Sequence, residues 1–117
     1  MFEKKEFTSH SNISLTWKIE CDDLTNEDIE TLAYLVSRYL IFSDVIGVPT
    51  GGLRFAKALE RYKKSVGPVL IVDDVLTTGR SMEDVRATIK PWSVGIVIFA
   101  RGQAPDWITP IFQYRLE

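Results

Sequence analysis

Cysteine and histidine are almost missing from this chain of 117 residues, with Cys21 and His10 the sole examples. One cysteine closes no internal disulfide, and one of each type leaves too few soft ligands for a zinc cluster or a Cys/His catalytic pair. No apolar run reaches the roughly 18 residues that would span a bilayer, and the opening MFEKKEF lacks the apolar segment of a signal peptide. A cytoplasmic protein with no membrane partner is the expectation. Charge excess is missing too, since 14 Lys and Arg face 16 Asp and Glu for a net charge of −2, which gives no global attraction to nucleic acid. Nor is there a GxxxxGKS or GxxxxGKT sequence, the ordinary P-loop. What remains is ordinary for a globular protein, 45% hydrophobic and 26% charged. A chain of this length forms one domain, residues 1–117, and buries about 65% of its unfolded surface.

The stretch Val69 to Met82, VLIVDDVLTTGRSM, organises the rest. Four apolar residues, mostly β-branched, lead into paired acids and a Thr-Thr-Gly turn, which predicts a buried strand ending in a polar loop. Thr77, Thr78, Gly79 and Ser81 supply hydroxyls and unhindered amides just where Met82, Val85 and Ile89 begin a helical spacing. A strand, an amide-lined turn and a helix N-terminus hold a phosphate well. Gly79 lets the backbone take positive φ and approach an anion without a Cβ. Asp73 and Asp74 cannot share that task, so sugar hydroxyls with a divalent cation are the economical partner for them. An apolar strand ending in two acids also opens a receiver domain or closes a Walker B strand. The first lacks its acid on the later strand Val94 to Ala100, and the second lacks its P-loop.

One strand earlier, Asp44 to Val48 runs into Pro49-Thr50-Gly51-Gly52, after which Leu53 opens a helix. Two glycines strip side chains from this turn and make a second anion-accessible loop, with Arg54 close enough to help neutralise a pyrophosphate.

Asp73 to Ser81 resembles the phosphoribosyl pyrophosphate signature of type I phosphoribosyltransferases, and GVPTGGL is similar to that family's pyrophosphate loop. The resemblance implies that Asp73 and Asp74 are the catalytic acids, meeting the ribose hydroxyls and Mg²⁺. It implies that Val75, Leu76, Thr77, Thr78, Gly79, Arg80 and Ser81 cup the 5-phosphate. Pro49, Thr50, Gly51, Gly52 and Arg54 then hold pyrophosphate. Arg101, after the strand Val94 to Ala100, matches an Arg that meets the acceptor base in orotate-type relatives. Pro105-Asp106-Trp107-Ile108 is loosely similar to the segment covering the base in xanthine- and guanine-type enzymes, which makes Trp107 a stacking candidate. The alternatives are a strand-end surface Arg and a core or interface Trp. Thr77 stands where hypoxanthine-type enzymes carry Asp and orotate-type enzymes Thr, which favours a pyrimidine-like acceptor.

Three departures from the family stand out. FTSHSN resembles the Phe-x-x-x-Ser-Gly lead-in of orotate enzymes, but Asn12 replaces Gly and Ser14 replaces Lys. Only Ser65-Val66-Gly67-Pro68 separate the second helix from the central strand, where type I enzymes insert a longer mobile segment that closes over the substrate. That helix also carries Arg54, Lys57, Arg61 and Lys64 at spacings of three and four, a solvated face or a track for RNA.

Elsewhere, Ile13 to Cys21 alternates as a half-buried edge or antiparallel strand. Thr25 and Asp28 can cap a helix with Ile29, Leu32, Ala33, Val36 and Leu40 on its apolar side, with Asp22 and Asp23 solvated before it. Ser81 and Asp84 can cap the helix that Pro91 stops. Pro110 places the last strand at an edge, and Ile111 to Tyr114 is a candidate homodimer contact. The expected fold is α/β, an open parallel sheet with helices on both faces and an N-terminal edge strand. The expected activity is Mg²⁺-dependent phosphoribosyl transfer to a nucleobase. The alternatives are a non-catalytic sensor of phosphoribosyl pyrophosphate or nucleotide, and an interaction scaffold or RNA binder.

Overall fold

The computed structural model describes residues 23–89 and 92–114, so the expected strand Ile13 to Cys21, the turn before it, Asp22 and the stop at Pro91 lie outside the described residues. Helix α1, Asn26–Tyr39, opens with a reciprocal cap. The Asp28 amide donates to Thr25 Oγ1 and the Thr25 amide to Asp28 Oδ2, each at 3.0 Å, which satisfies two of the donors every helix start leaves over. Its buried side is Ile29, Leu32, Ala33 and Val36. Leu40 ends the helix in extended backbone and packs at the margin of the core.

Strands β1 (Asp44–Gly47), β2 (Val69–Leu76), β3 (Ser93–Arg101) and β4 (Ile108–Tyr114) form one parallel sheet in that spatial order. Helix α2 (Leu53–Leu59, continued by a 3₁₀ turn to Tyr62) joins β1 to β2, and α3 (Arg80–Ala87) joins β2 to β3. Period-2 alternation divides the central strands between two cores. Leu70, Val72, Ile96 and Ile98 meet α1 and α2 on one face. Ile71 and Val97 meet Met82, Val85 and Ile89 of the α3 region on the other. Each fully buried aliphatic contributes on the order of 2 kcal/mol.

This arrangement has a topological consequence. The steps β1 to β2 and β2 to β3 run the same way across the sheet, yet α2 and α3 lie on opposite faces. The two crossovers therefore have opposite hands, and one of them breaks the right-handed rule that parallel units otherwise obey. The last connection is unusual in another way. Gly95 lies opposite Ile108 and Arg101 opposite Tyr114, so residues 102–107 must return almost the length of β3 without a helix. They do so as an extended strap over the second face, where Ala104 and Trp107 pack. Pro110 is tolerated because, among the described residues, β4 is an edge strand paired only with β3.

Between Tyr62 and β2 the chain is short and stitched to the N-terminal ends of the strands. The Ser43 amide donates to the Pro68 carbonyl at 3.0 Å, Ser43 Oγ to the Gly67 carbonyl at 2.7 Å, and the Lys64 amide to the Phe42 carbonyl at 2.9 Å. Gly67, at φ 121°, passes so close to Ile41 and Phe42 that an added Cβ would stand 2.9–3.1 Å from their backbone.

Candidate functional site

Both acids lie inside β2, which runs on to Leu76, and successive strand residues face opposite ways. Asp74 lines a cleft of about 250 Å³ with Thr50, Gly51, Arg54 and Phe55, closed below by Ile29 and Ile98. Asp73 lines a separate cavity of about 40 Å³ formed by Val75 to Met82. That smaller volume is on the order of three waters, a size for the oxygens of a single phosphoryl group and not for a sugar. The pair is thus a divider, one carboxylate turned to each loop. Each is fixed from its own strand: Asp73 Oδ1 accepts from the Asp74 amide at 2.8 Å and Asp74 Oδ1 from the Val75 amide at 2.7 Å.

The loop after β2 is built around Gly79, which sits in left-handed backbone at φ 80° and ψ 0°. Gly79 itself is the residue before the first helical turn, with no side-chain cap, and Ser81 lies one position inside α3. The expected Ser81 and Asp84 cap is corrected accordingly. The left-handed glycine turns the chain two residues sooner than a Ser81 cap would. Thr78 Oγ1 accepts from the Arg80 amide at 3.2 Å and the Gly79 carbonyl from the Glu83 amide at 2.9 Å. The amides of Gly79, Ser81 and Met82 lie at or just before the first helical turn, which offers them no carbonyl of a preceding turn, and the helix dipole adds partial positive charge there. Helix α3 ends at Ala87, where Thr88 Oγ1 donates to the Val85 carbonyl at 2.7 Å.

The loop before α2 is packed from beneath instead. The Val48 amide donates to the Val72 carbonyl at 2.8 Å and the Gly52 amide to the Val48 carbonyl at 2.9 Å, and the Pro49–Thr50 peptide is cis. A Cβ on Gly52 would lie 2.3 Å from the Val72 carbonyl oxygen, and one on Gly51 would lie 2.3–2.6 Å from the Asp74 carboxylate. Gly51 therefore holds the Asp74 carboxylate directly against the loop. Because the Gly52 and Leu53 amides serve Val48 and Thr50 carbonyls, Thr50 and Gly51 are the loop's amides left to face the cleft. Arg54 Nη1 donates to the Leu24 carbonyl at 2.7 Å, which holds the guanidinium on the cleft wall.

The structure thus brings together Thr50, Gly51, Arg54 and Asp74, and separately Asp73 with Val75 to Ser81. It does not bring Arg101 or Trp107 into either hollow. Arg101 ends β3, half-buried, opposite Tyr114. Trp107 packs beside Gly95, well down β3 from its C-terminal end. Its indole Nε1 donates to Glu83 Oε2 at 2.9 Å, and Arg86 lies 4.3 Å over its ring. Ile29, Phe55 and Ile98 are cleft residues that the sequence marked only as core. Each falls on an apolar stripe, and nothing local separates a stripe residue under a cleft from one under a helix.

The donor set suits a hard cation. Among the described residues no three His, Cys, Asp or Glu side chains gather into a metal site. One carboxylate, Asp74, beside the Thr50–Gly51 loop fits Mg²⁺, which is commonly held by one or two carboxylates plus substrate phosphates and water.

No family model and no curated protein sequence matches the chain. Among solved structures it is similar to a purine phosphoribosyltransferase from Pyrococcus horikoshii Ot3, with a TM-score of 0.53 and 22% identity over 78% of this chain and 85% of that one. The fold is accordingly type I phosphoribosyltransferase-like, an α/β parallel sheet with helices on both faces.

Proposed function

We propose that this chain binds phosphoribosyl pyrophosphate across the two hollows and transfers its phosphoribosyl group to a nucleobase. The observation that carries the reading is the divider of Asp73 and Asp74 between a phosphate-sized cradle and a glycine loop. A pentose phosphorylated at both ends presents hydroxyls in its middle and anions at its extremes, the complement of that order. The 5-phosphate takes the amides of Gly79, Ser81 and Met82, the ribose hydroxyls take the two carboxylates, and the pyrophosphate takes Thr50, Gly51 and Arg54.

In the transfer a ring nitrogen of the base forms a bond to C1 as the C1–oxygen bond breaks, and the electron pair leaves on pyrophosphate. Holding both ends of the sugar fixes C1 relative to the incoming base, which supplies the orientation part of the rate. Arg54 lowers the charge on the leaving oxygens. Mg²⁺, which Asp74 would hold together with substrate oxygens, would neutralise the leaving group further. Thr77 supplies no carboxylate to draw a proton from a purine, so a pyrimidine-like acceptor such as orotate suits the site best.

One observation favours a second reading, binding without turnover. The connection from Lys63 to Pro68 is pinned at the far end of the sheet, so it cannot fold over the cleft as a longer segment could. An open cleft leaves a developing cation at C1 exposed to water. Incubation with phosphoribosyl pyrophosphate, Mg²⁺ and a panel of orotate, uracil, hypoxanthine, guanine and adenine decides between them. The transferase reading expects pyrophosphate release that depends on one base. Tight binding with no release in any arm leaves a sensor.

A further inference from the structure

Helix α2 carries a row of cations that the transferase reading only begins to use. Arg54, Lys57 and Arg61 stand at spacings of three and four and so share one side of the helix. They form one wall of a groove of about 720 Å³ between α1 and α2, with Asn26, Ile29 and Glu30 opposite. Arg54 and Ile29 line both this groove and the Asp74 cleft, so the two hollows adjoin there.

The groove is lopsided in charge. Glu30 is taken by Arg61, and Glu60 by Lys63 at 2.9 Å. Arg54 Nη1 is fixed by the Leu24 carbonyl at 2.7 Å. Lys57 is exposed and belongs to no ion pair among the described residues. A helical rise of 1.5 Å per residue sets Lys57 about 4.5 Å beyond Arg54 along α2, leading away from Thr50 and Gly51. The floor of the groove is apolar, Ile29 at 3% and Ala58 at 7% exposure, so charge on its walls is less well screened than on an open helix face.

We propose that an oligophosphate chain longer than pyrophosphate, free or at the end of a nucleotide, runs from the Thr50–Gly51 loop past Arg54 and ends on Lys57. This rests on reading the cleft as the pyrophosphate site. Such a ligand excludes phosphoribosyl pyrophosphate by occupying the shared cleft and reads its own length through a residue the sugar does not need. The groove thereby gives the site a competitive regulator chosen by chain length.

The test is calorimetric titration with Mg²⁺ and, in separate arms, inorganic pyrophosphate, inorganic tripolyphosphate and ATP, using the full chain and its Lys57→Gln and Lys57→Arg variants. Tripolyphosphate should bind about tenfold tighter than pyrophosphate, the effect of one added charge-assisted contact. Lys57→Gln should shrink that advantage to twofold or less, and Lys57→Arg should keep it. ATP binding as tightly as tripolyphosphate assigns the chain to a nucleotide, and weaker ATP binding assigns it to free oligophosphate. Either result supports the groove. Equal affinity for the two inorganic anions, or an advantage that survives Lys57→Gln, overturns it. If phosphoribosyl pyrophosphate still binds while the length effect is missing, the groove alone is lost. No binding of phosphoribosyl pyrophosphate to the native chain removes the reading beneath it.

Discussion

The two loops flanking β2 are built by different means, and the difference sets what each can tolerate. The loop at Gly79 is a turn with open amides. Its glycine is there for a backbone angle, and an added Cβ would make only an ordinary 3.4 Å contact with Leu76. The loop at Gly51 and Gly52 is a packed wedge whose glycines are there for space, one against the Val72 carbonyl and the other against the Asp74 carboxylate. One loop offers amides and a helix dipole by itself. The other presents two amides beside a carboxylate, and so needs Arg54 or a cation before pyrophosphate is welcome.

Substitution at Gly52 should break the comparison most severely. In Gly52→Ala the new methyl meets backbone that is itself in the sheet, and the expected cost is about 3 kcal/mol in urea unfolding. Next comes Gly51→Ala, where the clash is with a side chain that can turn away. Stability should change by less than about 1 kcal/mol, while affinity for phosphoribosyl pyrophosphate with Mg²⁺ falls at least about tenfold, because Asp74 leaves its place. An equal loss of stability in both variants would show that the loop is one packed unit with no separate role for Asp74. Gly79→Ala sharpens the contrast from the other side. Left-handed backbone costs a non-glycine residue about 1–2 kcal/mol, so thermal unfolding should shift by a few degrees and phosphate binding by severalfold.

The smallest effect lies away from both loops, at Lys63, where the short connection begins. Glu60, by hydrogen bond and charge, and then Asp44 hold the ammonium above its usual 10.5. A raised folded-state value means the pair stabilises below the ordinary lysine range and loses that effect as pH rises through the raised one. The difference in urea midpoint between the native chain and Lys63→Met should therefore be small and constant near neutrality and fade as the pH rises past the ordinary lysine range, with ligand affinity at neutral pH unmoved. A difference that grows with pH contradicts the assignment.

Sequence made the loops legible for local reasons. Gly79 was marked by a Thr-Thr-Gly turn between a strand and a helical spacing, and the Thr25 and Asp28 cap by its three-residue interval; both are set by neighbours in the chain. The separation of Asp73 from Asp74 follows from strand alternation once β2 is known to continue to Leu76, but the acids themselves looked like the strand's end. What stayed hidden is long-range. Trp107 is settled by Glu83 and Arg86, more than 20 residues earlier, and by the space over Gly95. The strap at residues 102–107 depends on the register of β4 against β3, and the opposed crossovers depend on strand order. Neither leaves a mark in composition or spacing.

The central claim is that one doubly phosphorylated sugar is held between these unlike loops by the acids that divide them. Titration of phosphoribosyl pyrophosphate with and without Mg²⁺ into the native chain and into Asp73→Asn with Asp74→Asn tests it most directly. The account predicts Mg²⁺-dependent binding to the native chain that weakens at least about a hundredfold in the double variant, with thermal unfolding little changed. Binding that is undiminished in the double variant, or the same with and without the metal, would contradict it.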